Sequence, residues 1–183
     1  MTGDSNGKVD FKKSLDAYRA QRGRSRIIDV PDMRCLMTDG HGDPNTSPAL
    51  ADAIAALYPV AYRLKFASKR DLGRDYVVPP LEGLWWARQP TRLDDVRFQT
   101  LREGRCVQTL HVGSFDDEAA VLTQLHHAFI PSKGLRMAGR HHEIHLSDFR
   151  RTAPEKQRTI LRQPVTAKAQ TAARPGGVTR RGG

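Results

Sequence analysis

The amino-acid sequence predicts an α+β domain built around a duplicated strand–helix–strand unit, with a ligand cleft between the two copies. Short segments in which apolar and polar residues alternate are interspersed with segments whose apolar residues recur at helical spacing. Residues 34–57 and 105–125 also begin alike, since each contains a strand pattern, a glycine-containing loop, an acidic or hydroxyl cap and an amphipathic helix. Ligand sites are favoured at the junction of such paired units. The 183 residues suffice for one domain with its own core.

The first half of the chain contains two extended segments with one long helix between them. Residues 27–40 have a strand pattern that Pro31 interrupts. The predicted helix covers residues 48–69, because a proline that follows two hydroxyl residues is typical of a helix start. Pro59 is expected to kink this helix. Residues 75–86 form the second extended segment.

The second half repeats this order of elements. Residues 96–102 and 105–112 alternate apolar and polar residues on either side of a Glu-Gly turn. The acidic pair at 116–117 then opens a helix, in the position that the positive end of the helix dipole favours. Two further extended segments are expected in 139–147 and at the end of 148–165.

The chain ends differ from the central part in composition. Residues 1–26 are basic and include a short amphipathic helix or docking segment with Phe11, Leu15 and Tyr18 at helical spacing. Residues 166–183 are rich in Gly, Ala and Arg and have no periodic pattern, which predicts a disordered basic tail. The domain itself is therefore placed at residues 27–165.

The formal net charge of +10 is concentrated in these ends. Residues 1–26 and 166–183 each carry a net charge of +4, whereas 27–165 carries only +2. No motif that reads a nucleic-acid groove accompanies the basic ends, so specific nucleic-acid binding is not expected. No apolar run approaches the roughly 18 residues of a membrane span, and no signal peptide is evident. Cys35 and Cys106 are interpreted as reduced thiols in a cytoplasmic protein, although the sequence leaves a mutual disulfide open.

The segment HHEIH at 141–145 is the first candidate site. On a strand, His141, Glu143 and His145 would share one face, because side chains alternate. Three interpretations remain open: solvated polar residues on an edge strand, a His-x-His metal pair with a remote third ligand, or a buried or cleft-facing Glu143. In the third, Glu143 acts as an acid or base or anchors a positively charged ligand. A metalloprotease motif is excluded, since HExxH would require histidine in place of Leu146.

The segment PLEGLWW at 80–86 is the second candidate site. Trp85 and Trp86 must point to opposite faces of a strand, and Glu82 shares its face with Trp86. Both indoles could pack in the core. A carboxylate and an indole on one face, however, suit a planar or cationic aromatic ligand.

Weaker candidates lie elsewhere in the chain. Tyr62 stands four residues after Tyr58 on the long helix, and His111 interrupts an apolar strand, where a hydrogen-bonded core histidine is the simpler interpretation. The glycines of residues 40–48 lack the spacing of a phosphate-binding loop. No cofactor and no resident metal are expected.

Five segments together resemble the GyrI-like small-molecule-binding family. The resemblance extends from about Lys8 to Val165 with one break, and the last segment carries most of it. Within the family, the chain is most similar to the group that includes hydrolases of cyclopropanoid DNA-alkylating toxins, of the yatakemycin and duocarmycin type. The segments are IIDVPDMRCLMTDGHGDPN, ALYPVAYRLKF, DYVVPPLEGLWW, VQTLHVGSFDDE and GRHHEIHLSDFRRTAPEKQRTILRQPV.

The resemblance implies two pseudo-symmetric strand–helix–strand–strand modules, about 27–86 and 96–165, with the ligand between them. The hydrolase-like members carry a further strand and helix after the paired tryptophans, whereas only residues 87–95 stand there in this chain. The first module is therefore expected to be shortened. We predict that residues 87–102 supply a substitute strand, that the first module has fewer paired strands than the second, and that the cleft is more open near Trp86.

The resemblance also implies a function, namely hydrolysis of cyclopropanoid alkylating agents that protects the cell. Glu143 would activate the water, and His145 would donate a proton where the family usually has Tyr. The partner is then a hydrophobic planar small molecule. The alternatives are binding or sequestration of a hydrophobic or cationic ligand without chemistry, and a homodimer formed across an exposed sheet edge. Ligand contacts are expected from Glu82, Trp85, Trp86, Tyr62, His111 and Phe115.

Overall fold

A computed structural model of the chain describes residues 7–40, 42, 48–85 and 96–168. Its main sheet is antiparallel, in the order β1-β5-β8-β7-β3, and β6 pairs with the far end of β8. The strands β2 and β4 form a separate antiparallel pair. The strands are β1 Arg26–Val30, β2 Met33–Met37, β3 Leu81–Trp85, β4 Arg97–Leu101, β5 Gly104–Val112, β6 Leu135–Met137, β7 His141–His145 and β8 Arg158–Ala167.

Four α-helices belong to the described part. The long helix α2 includes Pro59 and ends before Gly73, whose φ of +63° is the left-handed conformation that terminates a helix. A π-helical turn, Gln124–Phe129, joins α3 to α4, so these three pieces form one helical segment. The helices are α1 Phe11–Ser14, α2 Pro48–Leu72, α3 Glu118–Thr123 and α4 Ile130–Ser132.

The predicted α+β fold with its repeated strand–helix–strand–strand order is confirmed. Residues 97–101 form the predicted substitute strand, because β4 pairs with β2 of the first half. Within the described residues, the first module contributes three paired strands, β1 to β3, and the second contributes five, β4 to β8. In this part of the chain the first module therefore has fewer paired strands than the second, as predicted. Trp86, where we predicted a more open cleft, lies outside the described residues.

Apolar side chains cover both faces of the main sheet. On one face, Val107 and Val165 pack against Leu125 and Ile130 of the helical segment. On the other face, the N-terminal segment lays Tyr18, Leu15 and Phe11 against Leu110, Ile144 and Ile160. The amphipathic spacing of this segment therefore marks a docking element as well as the short helix α1. No helix of the described part is long and apolar enough to cross a membrane.

Candidate functional site

The principal cleft has a volume of about 760 Å³ and a mainly apolar wall. Helix α2 forms one side with residues such as Leu50, Ile54 and Leu57, and the pair β2–β4 forms another. Strand β3 contributes residues from both of its faces, so the cleft passes around the edge of that strand. Trp85 and Glu82 both line it, as do Tyr18, His142 and His145.

Strand pairing determines which candidate residues meet at β3 and β7. Gly83 stands opposite Glu143, and Trp85 stands opposite His141, so these residues share one face of the sheet. His142 points to the other face, as does Glu82. Strand β7 lies between β8 and β3. The interpretation of HHEIH as a solvated edge strand was therefore wrong, because two neighbouring strands hold it inside the sheet.

Glu143 is a largely buried carboxyl with histidines on both sides. Its oxygens lie 3.7 Å from His141 Nε2 and 3.9 Å from His145 Nε2, and its side chain is 14% exposed. Burial raises the pKa of Glu143 to about 7, although the Trp85 indole N–H and the charge of His142 act in the opposite direction. Glu143 can therefore exchange a proton near neutral pH, which suits an acid or a base.

A second buried carboxyl, Glu118, is held near Glu143 by helix α3. Its residue is only 4% exposed, and its Oε1 atom has no hydrogen-bond partner in the described part of the chain. Burial, and secondarily the charge of Glu143, raises the pKa of Glu118 to about 8. Glu118 is therefore protonated at neutral pH.

His145 lies in an aromatic environment at the end of β7. Its ring makes edge contacts with Phe115 and Phe149, at centroid distances of 5.4 and 5.9 Å. Burial lowers the pKa of His145 to about 4. The imidazole is therefore neutral at neutral pH and can donate a hydrogen bond, but it does not carry the extra proton of an imidazolium.

His141, which lies beside Glu143, also contacts the imidazole of His126. Their rings meet edge to face at 5.8 Å. Burial lowers the pKa of His141 to about 4 and also lowers that of His126. Among the residues that the structure describes, no group of three or more His, Cys, Asp or Glu side chains has the geometry of a metal site.

The opposite face of the sheet carries a chain of buried hydrogen bonds. The Tyr18 hydroxyl donates to Glu82 Oε1 at 2.5 Å, and His142 Nε2 lies 3.0 Å from Glu82 Oε2. The other ring nitrogen of His142 is 2.9 Å from Glu103. Arg162 then donates to Glu103 at 2.8 Å and is itself fully buried. This network, from Tyr18 to Arg162, connects the N-terminal segment to the sheet.

The network is neutral when His142 is protonated, since its two carboxylates then face two cations. Burial opposes a charge on His142, but the hydrogen bonds and charges of Glu103 and Glu82 outweigh it and raise its pKa. Burial likewise opposes the charge on Glu103, but His142 and Arg162 lower its pKa. Glu82 therefore lines the cleft with a carboxylate that already has two partners.

The other predicted ligand contacts are spread over the molecule. Tyr62 is 44% exposed, stacks on Tyr58 and lines a second cleft of about 560 Å³. His111 is a core histidine whose Nε2 lies 2.9 Å from the Ser114 carbonyl oxygen, and it lines neither cleft. Phe115 also lines neither cleft, but it supports His145. Trp86 lies outside the described residues.

Several residues of the site were missed from the sequence alone. Glu118 was hidden among the acidic residues of a helix start, where solvent exposure is the usual expectation. Glu103 was assigned to a turn, and His142 was not among the predicted site residues. The signal for Arg162 was present, because it is a lone charge in the otherwise uncharged strand segment TILRQPV.

Comparisons with known proteins agree with the family and the fold. A sequence model of the GyrI-like small molecule binding domain matches residues 92–165. The chain is similar to a hydrolase from Listeria innocua, with 35% identity, a TM-score of 0.75 and coverage of 87% of this chain and 100% of the other. A hydrolase encoded by lin2189 of the same organism shows 33% identity, a TM-score of 0.76 and the same coverage. A comparison with curated proteins gave no match.

Proposed function

The chain belongs to the GyrI-like small-molecule-binding family, and we propose that it hydrolyses cyclopropanoid DNA-alkylating compounds. The observation that carries the proposal is the position of Glu143, a buried carboxyl with a pKa near neutrality beside a large apolar cleft. The similarity to two Listeria chains that are described as hydrolases supports it. Removal of such alkylating agents would protect the DNA of the cell.

The reaction adds one water across a strained ring. Ionised Glu143 takes a proton from water, and the water oxygen bonds to a cyclopropane carbon while the ring C–C bond breaks. The electron pair of that bond moves into the conjugated dienone, whose oxygen becomes a phenolate. Solvent then protonates the phenolate to a phenol, and Glu143 returns its proton to solvent, so that the net change is the addition of one water. Neutral His145 donates a hydrogen bond to the phenolate oxygen, a role that neutral imidazoles fill in other enzymes. Because its pKa is about 4, we propose that His145 acts as a neutral hydrogen-bond donor and not as the proton donor that the resemblance implied.

The apolar cleft provides the binding energy for a flat ligand. Trp85 offers a large aromatic surface, and aliphatic residues of α2 line the same cleft. Glu82 contributes to ligand binding only indirectly, because its carboxylate already interacts with Tyr18 and His142.

Glu143→Gln tests the proposal. A duocarmycin-type compound incubated with the wild-type protein should gain the mass of one water, as measured by mass spectrometry. The variant should lose this product by about 10²–10⁴-fold, while quenching of tryptophan fluorescence shows nearly unchanged binding. Glu155→Gln is the matched control, because Glu155 is exposed and lines neither cleft. Hydrolysis at the wild-type rate by Glu143→Gln would refute the role of Glu143.

A second candidate function is sequestration without chemistry. The observation that favours it is that Glu143 does not itself line the cleft, although Trp85 and Gly83 do. Binding of the compound with unchanged mass would support sequestration, and recovery of the water adduct would exclude it.

A further inference from the structure

The indole of Trp85 lies over Gly83, which precedes it by two residues on the same face of β3. A Cβ atom built on Gly83 would lie 3.0 Å from Trp85 Nε1 and 3.1 Å from Cε2 and Cζ2. Contacts this short are tighter than almost all that real Cβ atoms make. The ring can therefore occupy this place because residue 83 has no side chain. We call this position of the indole over Gly83 its seat.

Glu143 lies next to the cleft lining but does not belong to it. Trp85 and Gly83 line the cleft, whereas Glu143 does not, although it stands directly opposite Gly83 in the β3–β7 pair. The indole Nε1 is buried, and it lies close enough to the Glu143 carboxyl to lower its pKa, in a geometry short of a regular hydrogen bond. The indole thus lines the cleft and also lies near the Glu143 carboxyl.

We propose that the Trp85 indole is a shutter over Glu143, and that a ligand in the cleft reaches this carboxyl only when the ring leaves its seat on Gly83. The inference rests on the proposed function of Glu143, and it adds Gly83 and Trp85 as positioning residues that control access. The suitable ligand class is flat and apolar, because such a molecule can stack on the displaced indole while its polar end approaches Glu143.

The environment of Glu143 allows the shutter to be observed without any ligand. On its own strand, His141 and His145 flank it. Glu118 of α3 is coupled to it electrostatically, and the charge of His142 acts through the sheet. A further titratable group in this region is His126, which contacts His141. Burial contributes most to the raised pKa of Glu143, so opening of the shutter should lower that pKa by admitting water.

The measurement uses Trp85 as its own reporter. The chain has two tryptophans, so Trp86→Phe leaves Trp85 as the single emitting indole. In that background, we expect Trp85 fluorescence to titrate with a midpoint near pH 7, the pKa of Glu143. Adding Glu143→Gln should abolish this transition, which separates it from titration of Glu118 or the histidines.

Gly83→Ala then forces the indole to shift by at least a few tenths of an ångström from its place over residue 83. The backbone of Gly83 is outside the left-handed region, so alanine is compatible with the strand. We expect the fluorescence midpoint to fall by about one pH unit or more, together with a larger acrylamide quenching constant. Gly40→Ala is the matched control, because Gly40 lines the same cleft and its Cβ would lie in open space. An unchanged midpoint and an unchanged quenching constant in Gly83→Ala would overturn the proposal.

A second variant covers the case in which Gly83→Ala does not fold. Trp85→Ala removes the ring without adding an atom to the sheet, and the pKa of Glu143 can be followed by carboxyl ¹³C NMR. The pKa should again fall, because hydration outweighs the loss of the indole N–H, and a pKa that stays near 7 would refute the shutter. These readouts need no substrate. Failure of hydrolysis with the expected midpoint shifts would reject the proposed function alone, whereas normal hydrolysis without those shifts would reject the shutter alone.

Discussion

Replacement of Glu118 by glutamine is expected to make the protein more stable above neutral pH. The amide resembles the protonated carboxyl in shape, but it cannot ionise. Burial raises the pKa of Glu118 from 4.5 to about 8, with a further contribution from the charge of Glu143. A carboxyl whose pKa is higher in the folded state contributes stability that is complete below pH 4.5 and is lost as the pH rises through 8.

The effect of Glu118 on the free energy of unfolding is best measured above pH 6.5, because buried histidines change that free energy below this pH. The pKa values of His141 and His145 are lowered from 6.5 to about 4, so their contribution to stability increases as the pH rises from 4 to 6.5. Above that range, the raised pKa values of Glu118, Glu143 and His142 all reduce stability as the pH rises, so the comparison with Glu118→Gln isolates the contribution of Glu118. Between pH 6.5 and 8, Glu118 is ionised in the unfolded chain but stays largely protonated in the folded protein. Over these roughly 1.5 pH units, this difference lowers the free energy of unfolding by about 2 kcal/mol.

Urea unfolding, followed by circular dichroism at pH 6.5 and at pH 8, measures this loss directly. The wild type should lose about 2 kcal/mol more than Glu118→Gln between the two pH values. Glu155→Gln makes the same atomic change on an exposed side chain and should behave as the wild type. If Glu118→Gln loses as much stability as the wild type over this interval, the assignment of Glu118 as a buried, protonated carboxyl is incorrect.

Two further predictions concern the buried network and His145. Arg162→Met should lower the free energy of unfolding by about 3–5 kcal/mol, since it leaves Glu103 as a buried charge that has lost one partner. Arg26→Ala, which breaks an exposed ion pair to the same N-terminal segment, should cost less than about 1 kcal/mol, and equal costs in denaturant titrations would contradict the network. Phe115→Ala should raise the pKa of His145 from about 4 towards 6.5, because water would reach the imidazole. A ¹H NMR titration of the ring measures this pKa. An unchanged pKa would mean that groups other than Phe115 exclude water from His145.

The sequence was sufficient wherever the relevant pattern is local. The two-residue period of a strand placed Glu143 on the same face as His141 and His145, and the distances from Glu143 to both rings agree. The same period put Ile144 in the core. Helical spacing and cap residues located α2, because these signals depend only on neighbours within a few positions.

The site chemistry depended on contacts between distant parts of the chain. Strand β7 became an inner strand because β3 pairs with it from about 60 residues away, which no alternation within HHEIH could reveal. The partners of His142 come from Glu82 and Glu103 on two other elements.

Residue identities and local spacing therefore determined the fold class, the strand faces and the main acidic candidate of this protein. Only the tertiary structure decided which groups are buried together, and with this the pKa values of Glu143, Glu118 and His145. The physical reason is that periodicity is a property of neighbouring residues, whereas desolvation and charge coupling depend on which surfaces the folded chain brings into contact. The position of the Trp85 ring over Gly83 depends on both local spacing and tertiary structure. A spacing of two residues places the ring on the same face as Gly83, and the packed cleft keeps it there.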